Sequence, residues 1–163
     1  MTVQKRKLRI AGVARESIVD GPGIRFVIFA QGCPHLCKGC HNESTHDFAG
    51  GYDCDLDRIL TEIDKNPLLS GVTFSGGEPF CQAQGFYELG KEIKNRGLDL
   101  LAYSGYTFEE LTELAKQDQY IEKLLAVIDS LVDGPFILDE RDLTLEFRGS
   151  KNQRFMKMSD YRA

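Results

Sequence analysis

The 163-residue sequence predicts an α/β fold: a partial (βα) barrel, with a mostly parallel curved sheet and helices on its outer face. Short apolar runs rich in β-branched and aromatic residues alternate with segments whose apolar residues recur at helical spacing. That is the pattern of parallel strands joined by right-handed crossovers. The length suffices to bury a core but falls short of the roughly 250 residues typical of a closed eight-stranded barrel. No repeat, low-complexity tract or linker interrupts the chain, so residues 1–163 are expected to form a single domain.

The elements follow in order. Arg6 to Val13 reads as an opening strand, and Asp20-Gly21-Pro22-Gly23 as a turn, because proline fixes one backbone angle and glycine supplies angles other residues avoid. Ile24 to Ala30 is a buried strand. Asp55 is placed to N-cap a helix in which Leu56, Ile59, Leu60 and Ile63 share a face, and Pro67 ends it. Gly71 to Ser75 is the next strand; the helix after it carries Phe86, Leu89 and Ile93 on one side and closes at Gly97. Leu98 to Tyr103 is a strand. Thr107 and Glu110 form a capping box for a helix whose Leu111, Leu114 and Ala115 point one way. Leu124 to Val132 supplies apolar residues for a fourth parallel strand, and the alternation over Leu143 to Phe147 predicts an edge strand.

Hydrophobic residues make up 42% and charged residues 28%, the balance of an ordinary soluble globular protein. No apolar run approaches the ~20 residues that cross a bilayer, and the basic N-terminus has no apolar stretch behind it, so the expectation is a cytoplasmic protein without a membrane partner. A net charge of −5 gives no reason to expect nucleic-acid binding. Against that acidity Arg148, Lys151, Arg154 and Lys157 follow one another with no acidic residue between them, which fits either a solvated edge or a surface for a partner.

The chemistry is carried by Cys33, Cys37 and Cys40, three thiols within a loop of eight residues. A loop that short can turn its sulfurs toward a metal. Closed structural zinc sites and electron-carrying clusters normally have four protein ligands, whereas three thiolates on a four-iron cluster leave one iron for another molecule. Other readings are open on spacing alone. His35, His41 or His46 would complete a zinc module, Cys81 or Cys54 would complete an electron carrier, and a disulfide would leave one thiol over. Cys54 otherwise reads as a small structural residue.

The cysteine loop, Gly76-Gly77-Glu78, Tyr103-Ser104-Gly105 and Asp133-Gly134-Pro135 all leave the C-terminal ends of predicted parallel strands, where α/β proteins bind ligands. Gly76 and Gly77 let backbone approach a ligand closely, and Glu78 offers a carboxylate to a cationic amine; a plain strand-to-helix turn is the alternative.

Cys33-x3-Cys37-x2-Cys40, preceded by Ser17-Ile-Val-Asp-Gly-Pro-Gly-Ile-Arg25 and followed by His41-Asn42, resembles the signature of the radical S-adenosylmethionine enzymes, in particular those that install a glycyl radical on a partner protein. The resemblance implies that Cys33, Cys37 and Cys40 hold one [4Fe–4S] cluster and that S-adenosylmethionine binds its open iron. It also implies that Gly76, Gly77 and Glu78 grip the amino group, that Gly39, Cys40 and His41 line the adenosyl portion through backbone, and that Ser104 and Asp133 contact ribose or carboxylate. No catalytic acid or base is implied. Asp20 and Arg25, in the Asp-Gly-Pro-Gly-x-Arg turn, are expected to shape the rim.

Leu131-Val-Asp-Gly-Pro-Phe136, Asp142-Leu-Thr-Leu145 and Arg148-Gly-Ser-Lys-Asn-Gln-Arg154 resemble the activases of anaerobic ribonucleoside-triphosphate reductase more than those of pyruvate formate-lyase, which are longer. Ser104 stands where threonine is expected and keeps the hydroxyl. The implied partners are the glycyl radical subunit of that reductase and flavodoxin or another low-potential reductant. The implied reaction is reductive cleavage of S-adenosylmethionine to methionine and a 5′-deoxyadenosyl radical, which takes hydrogen from the partner's glycine.

Overall fold

The computed structural model describes residues 6–35, 37–40 and 43–161. Its strands and helices, in chain order, are β1 (Lys7–Ser17), β2 (Arg25–Ala30), β3 (Tyr52–Asp55), α1 (Leu56–Asp64), β4 (Gly71–Gly76), α2 (Ala83–Asn95), β5 (Asp99–Tyr103), α3 (Phe108–Ala115), α4 (Gln119–Val127), β6 (Ser130–Asp133) and β7 (Arg154–Lys157). They build one seven-stranded sheet in the order β3-β1-β2-β4-β5-β6-β7. The central four, β2, β4, β5 and β6, run parallel, while β1, β3 and β7 pair antiparallel at the flanks. The sheet is open, with β3 and β7 as its edges.

Alternation along the parallel strands sorts their side chains between two faces. Phe26, Ile28, Val72, Phe74, Leu100, Ala102 and Leu131 pack with Leu60, Ile63, Phe86, Leu89, Ile93, Leu111 and Leu124 of the helices in one apolar core. Phe74 and Phe86 meet there at a ring separation of 4.6 Å. The intervening residues Phe29, Ser75 and Tyr103 face a cavity on the other side. The expected α/β architecture, helices on one face of a mostly parallel open sheet, is therefore present. No helix among the described residues is long and apolar enough to cross a membrane.

Two expected strands are corrected. Leu124 to Val132 is the end of α4 followed by β6, because the Asp118 side chain accepts from Tyr120 N at 2.9 Å and starts a helix that buries Ile121 and Leu124 together. Ile128 then turns extended at φ −75°, ψ 146°, and only Ser130–Asp133 enters the sheet. Leu143 to Phe147 is not a strand: Asp142 accepts from Thr144 N and Oγ1, Leu143 is 76% exposed, and Phe147 sits at φ 60°. The edge strand is β7, whose Met156 is buried opposite Leu131. In α3 only Leu111 is buried, and Leu114 is 39% exposed. The capping box is formed, with Thr107 Oγ1 accepting from Glu110 N and Glu110 accepting from Thr107 N. Asp55 occupies the N-cap of α1 without a side-chain bond; there Leu56 N donates to Arg6 O of the chain leading into β1.

Arg25 is 1% exposed. Its guanidinium donates to Thr73 Oγ1 (2.7 Å), Val72 O (2.9 Å) and Pro22 O (3.0 Å), and pairs with Asp99 at 2.8 Å. Thr73 Oγ1 in turn donates to Asp20 O at 2.7 Å. These bonds fix the Asp20-Gly21-Pro22-Gly23 turn against β4 and β5, the shaping role expected of Asp20 and Arg25.

Candidate functional site

The C-terminal ends of β2, β4, β5 and β6 open on one cavity of about 550 Å³, within the size range of small-molecule sites. Cys33, Cys37 and Cys40 line it beside Gly76 and Gly77, Ser104 and Gly105, and Gly134. All four loops singled out in the sequence thus reach the same space. The far wall comes from Phe136, Leu145, Phe147 and Arg148, and the floor from Phe29, Ser75 and Tyr103.

Backbone bonds fix the first cysteine: Gly32 N donates to Thr45 O (2.6 Å), Cys33 N to His46 O (3.1 Å), and Glu78 N to Gly32 O (2.8 Å). The cysteine loop and the Gly-Gly-Glu loop are therefore stitched together. Gly76 adopts φ 89°, and an added Cβ would lie 2.5 Å from Ala30 N, so only glycine closes β4 against β2 here. None of the five cysteines is in a disulfide. The three cysteines line the same cavity, and among the described residues no three His, Cys, Asp or Glu groups are gathered within reach of a single metal ion. Soft thiol donors beside a roomy cavity fit an iron–sulfur group.

Glu78 is placed differently from the simple expectation of a carboxylate open to the cavity. Its side chain is 0% exposed, and its oxygens accept from His35 Nε2 (2.7 Å), Gly105 N (2.8 Å), Ser104 Oγ (2.9 Å) and Phe80 N (3.2 Å). Ser104 Oγ also accepts from Tyr106 N at 3.0 Å. Asp133 is 1% exposed and ties three elements together: it accepts from Phe108 N at 2.7 Å, at the start of α3, and from Arg154 Nε at 3.0 Å, with Arg154 Nη2 closing a second bond. Arg154 continues to Glu109 at 2.7 Å and holds that carboxyl below its ordinary value. Gly39 is exposed beside Leu138, and His41 lies outside the described residues.

Cys54 is buried in the core on β3. Cys81 lies on a short turn of 3-10 helix, Pro79–Gln82, and although the residue is exposed overall, partial burial of its thiol and the charges of Glu78 and Cys33 push its pKa up to about 11. Burial, and next the nearby Asp20, raise the Tyr103 hydroxyl on the cavity floor above its ordinary value.

Arg148-Gly-Ser-Lys-Asn-Gln-Arg154 has a structural reason. Gln153 Oε1 accepts from Gly149 N (2.8 Å) and Ser150 N (3.1 Å) while its Nε2 donates to Gly134 O, and Asn152 Nδ2 donates to Pro135 O at 2.7 Å. The motif seats the Phe136 and Phe147 wall on the end of β6. This wall and the contact of His35 with Glu78 were not anticipated from the sequence, whereas Tyr103 was, as part of the Tyr103-Ser104-Gly105 loop. The fixed spacing of Asn152 and Gln153 behind a glycine-serine turn is the signal that pointed there.

Over residues 19–156 the chain matches the family model described as a 4Fe-4S single cluster domain, so the class is that of proteins holding one iron–sulfur cluster. It is 38% identical over 144 residues to the anaerobic ribonucleoside-triphosphate reductase-activating protein of Vibrio cholerae, covering 83% of this chain and 89% of that one. The counterpart from Escherichia coli is 34% identical, with 83% and 90% covered. The pyruvate formate-lyase-activating enzyme of Clostridium pasteurianum is 34% identical over 69% of this chain and 50% of its own length. The chain belongs to the family of anaerobic ribonucleoside-triphosphate reductase-activating proteins.

Proposed function

We propose that this protein activates an anaerobic ribonucleoside-triphosphate reductase by generating a glycyl radical on it, with Cys33, Cys37 and Cys40 holding a [4Fe–4S] cluster and S-adenosylmethionine as co-substrate. The observation that carries the reading is the meeting of the three thiols with Gly76-Gly77 and Ser104-Gly105 around one cavity. When bound, the cluster supplies the electron that cleaves the sulfonium to methionine and a 5′-deoxyadenosyl radical, the abstractor of hydrogen from glycine.

The chain's own residues bind, orient and shield. The Gly76–Gly77 backbone approaches the ligand, and Glu78, buried behind it and held by four donors, contributes negative charge near an ammonium without an oxygen open to it. Gly39 and Cys40 are the described residues assigned to the adenosyl portion, and His41, assigned with them, lies outside the described residues. Ser104 acts by holding Glu78, and Asp133 by holding the loop that carries Gly134. Phe29, Tyr103, Phe136 and Phe147 exclude water from a reactive intermediate. A flavodoxin-like protein in the cytoplasm is the proposed electron source. The far fuller overlap with the reductase-activating relatives, 89% against 50% of the pyruvate formate-lyase relative, supports the reductase as target.

Anaerobic incubation of the reconstituted protein with S-adenosylmethionine, a reductant and the reductase, followed by electron paramagnetic resonance, tests this. A glycyl doublet on the reductase is expected. Its absence with fully loaded clusters would refute the proposal.

A further inference from the structure

The imidazole between the first two cysteines lines the same cavity and reaches another loop. His35 Nε2 lies 2.7 Å from Glu78 Oε1, with side-chain exposures of 14% and 0%. A carboxylate only accepts, so the ring nitrogen donates. The ring edge meets Tyr106 at a centroid separation of 4.4 Å and an interplanar angle of 79°. Gly105 completes the slot: an added Cβ would lie 2.3 Å from His35 Cδ2, so any side chain there would expel the ring. Three elements 43 and more residues away in sequence, the turn after β4, the loop after β5 and the approach to α3, thus form a fitted receptacle for one side chain of the cysteine loop.

The placement matters because the two halves of that loop are held differently. Cys33 N bonds His46 O, and Gly32 just before it is held by backbone bonds to Thr45 and Glu78. Toward Cys37 and Cys40 the loop has its own turn, with Cys40 N donating to Cys37 O at 3.2 Å, and His35 fastens the stretch before it to the sheet. A charge-assisted bond to a fully buried carboxylate is about twice as strong as a neutral one.

We infer that His35 is a positioning residue: its bond to Glu78 latches the Cys33–Cys40 loop onto the sheet, so that cluster retention depends on the same buried carboxylate that Phe80, Ser104 and Gly105 hold in place. The inference rests on the cysteine loop holding the cluster, and the iron content of the native protein checks that reading separately.

Three substitutions separate the bond from the packing. His35→Gln keeps an amide donor near the position of Nε2 but no ring; His35→Phe keeps a ring against Tyr106 but no donor; His35→Ala keeps neither. The reconstituted proteins are exposed anaerobically to a ferrous chelator and the rate of iron loss is followed by absorbance. The latch predicts that His35→Phe and His35→Ala lose iron about tenfold faster than native, the scale seen when partners of metal ligands are removed, and that His35→Gln stays within about twofold of native. Rates for His35→Phe equal to native overturn the proposal, as does His35→Gln losing iron as fast as His35→Ala. Should His35→Phe fail to fold by circular dichroism, His35→Leu removes the same donor with a smaller side chain. A native protein that takes up no iron would instead remove the cluster reading itself.

Discussion

Arg154 belongs to a basic run that invites assignment to a partner surface, yet its geometry ties it inward, and Arg154→Ala measures which role dominates. The substitution deletes two bonds to Asp133, which is 1% exposed, and leaves that carboxylate with Phe108 N at 2.7 Å as the donor it retains among those described. Breaking a fully buried pair from one side costs about 3–5 kcal/mol. The arginine is 44% exposed and its second partner Glu109 68% exposed, so water screens part of the interaction and the expected loss falls to about 2 kcal/mol. Urea denaturation of the reconstituted protein, followed by far-UV circular dichroism, reads this as a midpoint lowered by about 1 M for a slope near 2 kcal/mol/M. The exposed Lys157→Ala on the same strand should shift stability by less than about 0.5 kcal/mol. An Arg154→Ala loss as small as that of Lys157→Ala, combined with failure to activate the reductase, would refute the inward role.

Other outcomes follow from the same contacts. Arg154 holds the Glu109 carboxyl below its ordinary 4.5; a depressed pKa stabilises the fold above the ordinary range and ceases to do so as pH falls through the lowered value, so the gap between native and Arg154→Ala in denaturation midpoint should narrow below about pH 4.5. Thr107→Ala removes the cap accepting from Glu110 N and should lower stability by about 1 kcal/mol in the same assay. Cys81→Ser and Cys54→Ser should leave the iron content of reconstituted protein unchanged, since neither lines the cavity that Cys33, Cys37 and Cys40 line and Cys54 is packed in the core. Lys151→Glu with Lys157→Glu, both exposed, should weaken activation of the reductase in the radical assay while uncoupled cleavage of S-adenosylmethionine, measured by chromatography, persists.

Much of this was legible because local chemistry and tertiary context agree. Ile24 to Ala30 and Gly71 to Ser75 are apolar and β-branched between glycine turns, and both are buried strands of the parallel core. Leu124 to Val132 misled because the short apolar run Leu124 to Ile128 carries no clear period, and its helical half is revealed only by Asp118 bonding Tyr120 N. Strand β7 was hidden because Arg154 and Lys157 mask the alternation that buries Met156. At the site, close cysteine spacing and glycine loops announced which segments meet. The orientation of Glu78 and the slot for His35 were not legible, since they depend on contacts across 43 residues and on the absence of a side chain at Gly105.

The central claim is that three thiols, and no fourth side chain, bind an iron–sulfur cluster at the head of the parallel strands. Iron, sulfide and zinc analysis of anaerobically reconstituted native protein, beside the Cys33→Ser, Cys37→Ser and Cys40→Ser variants, tests it most directly. The account predicts a brown native protein with about four irons per chain and loss of that content in each variant. A colourless protein with one zinc, retained at its usual affinity, would contradict it.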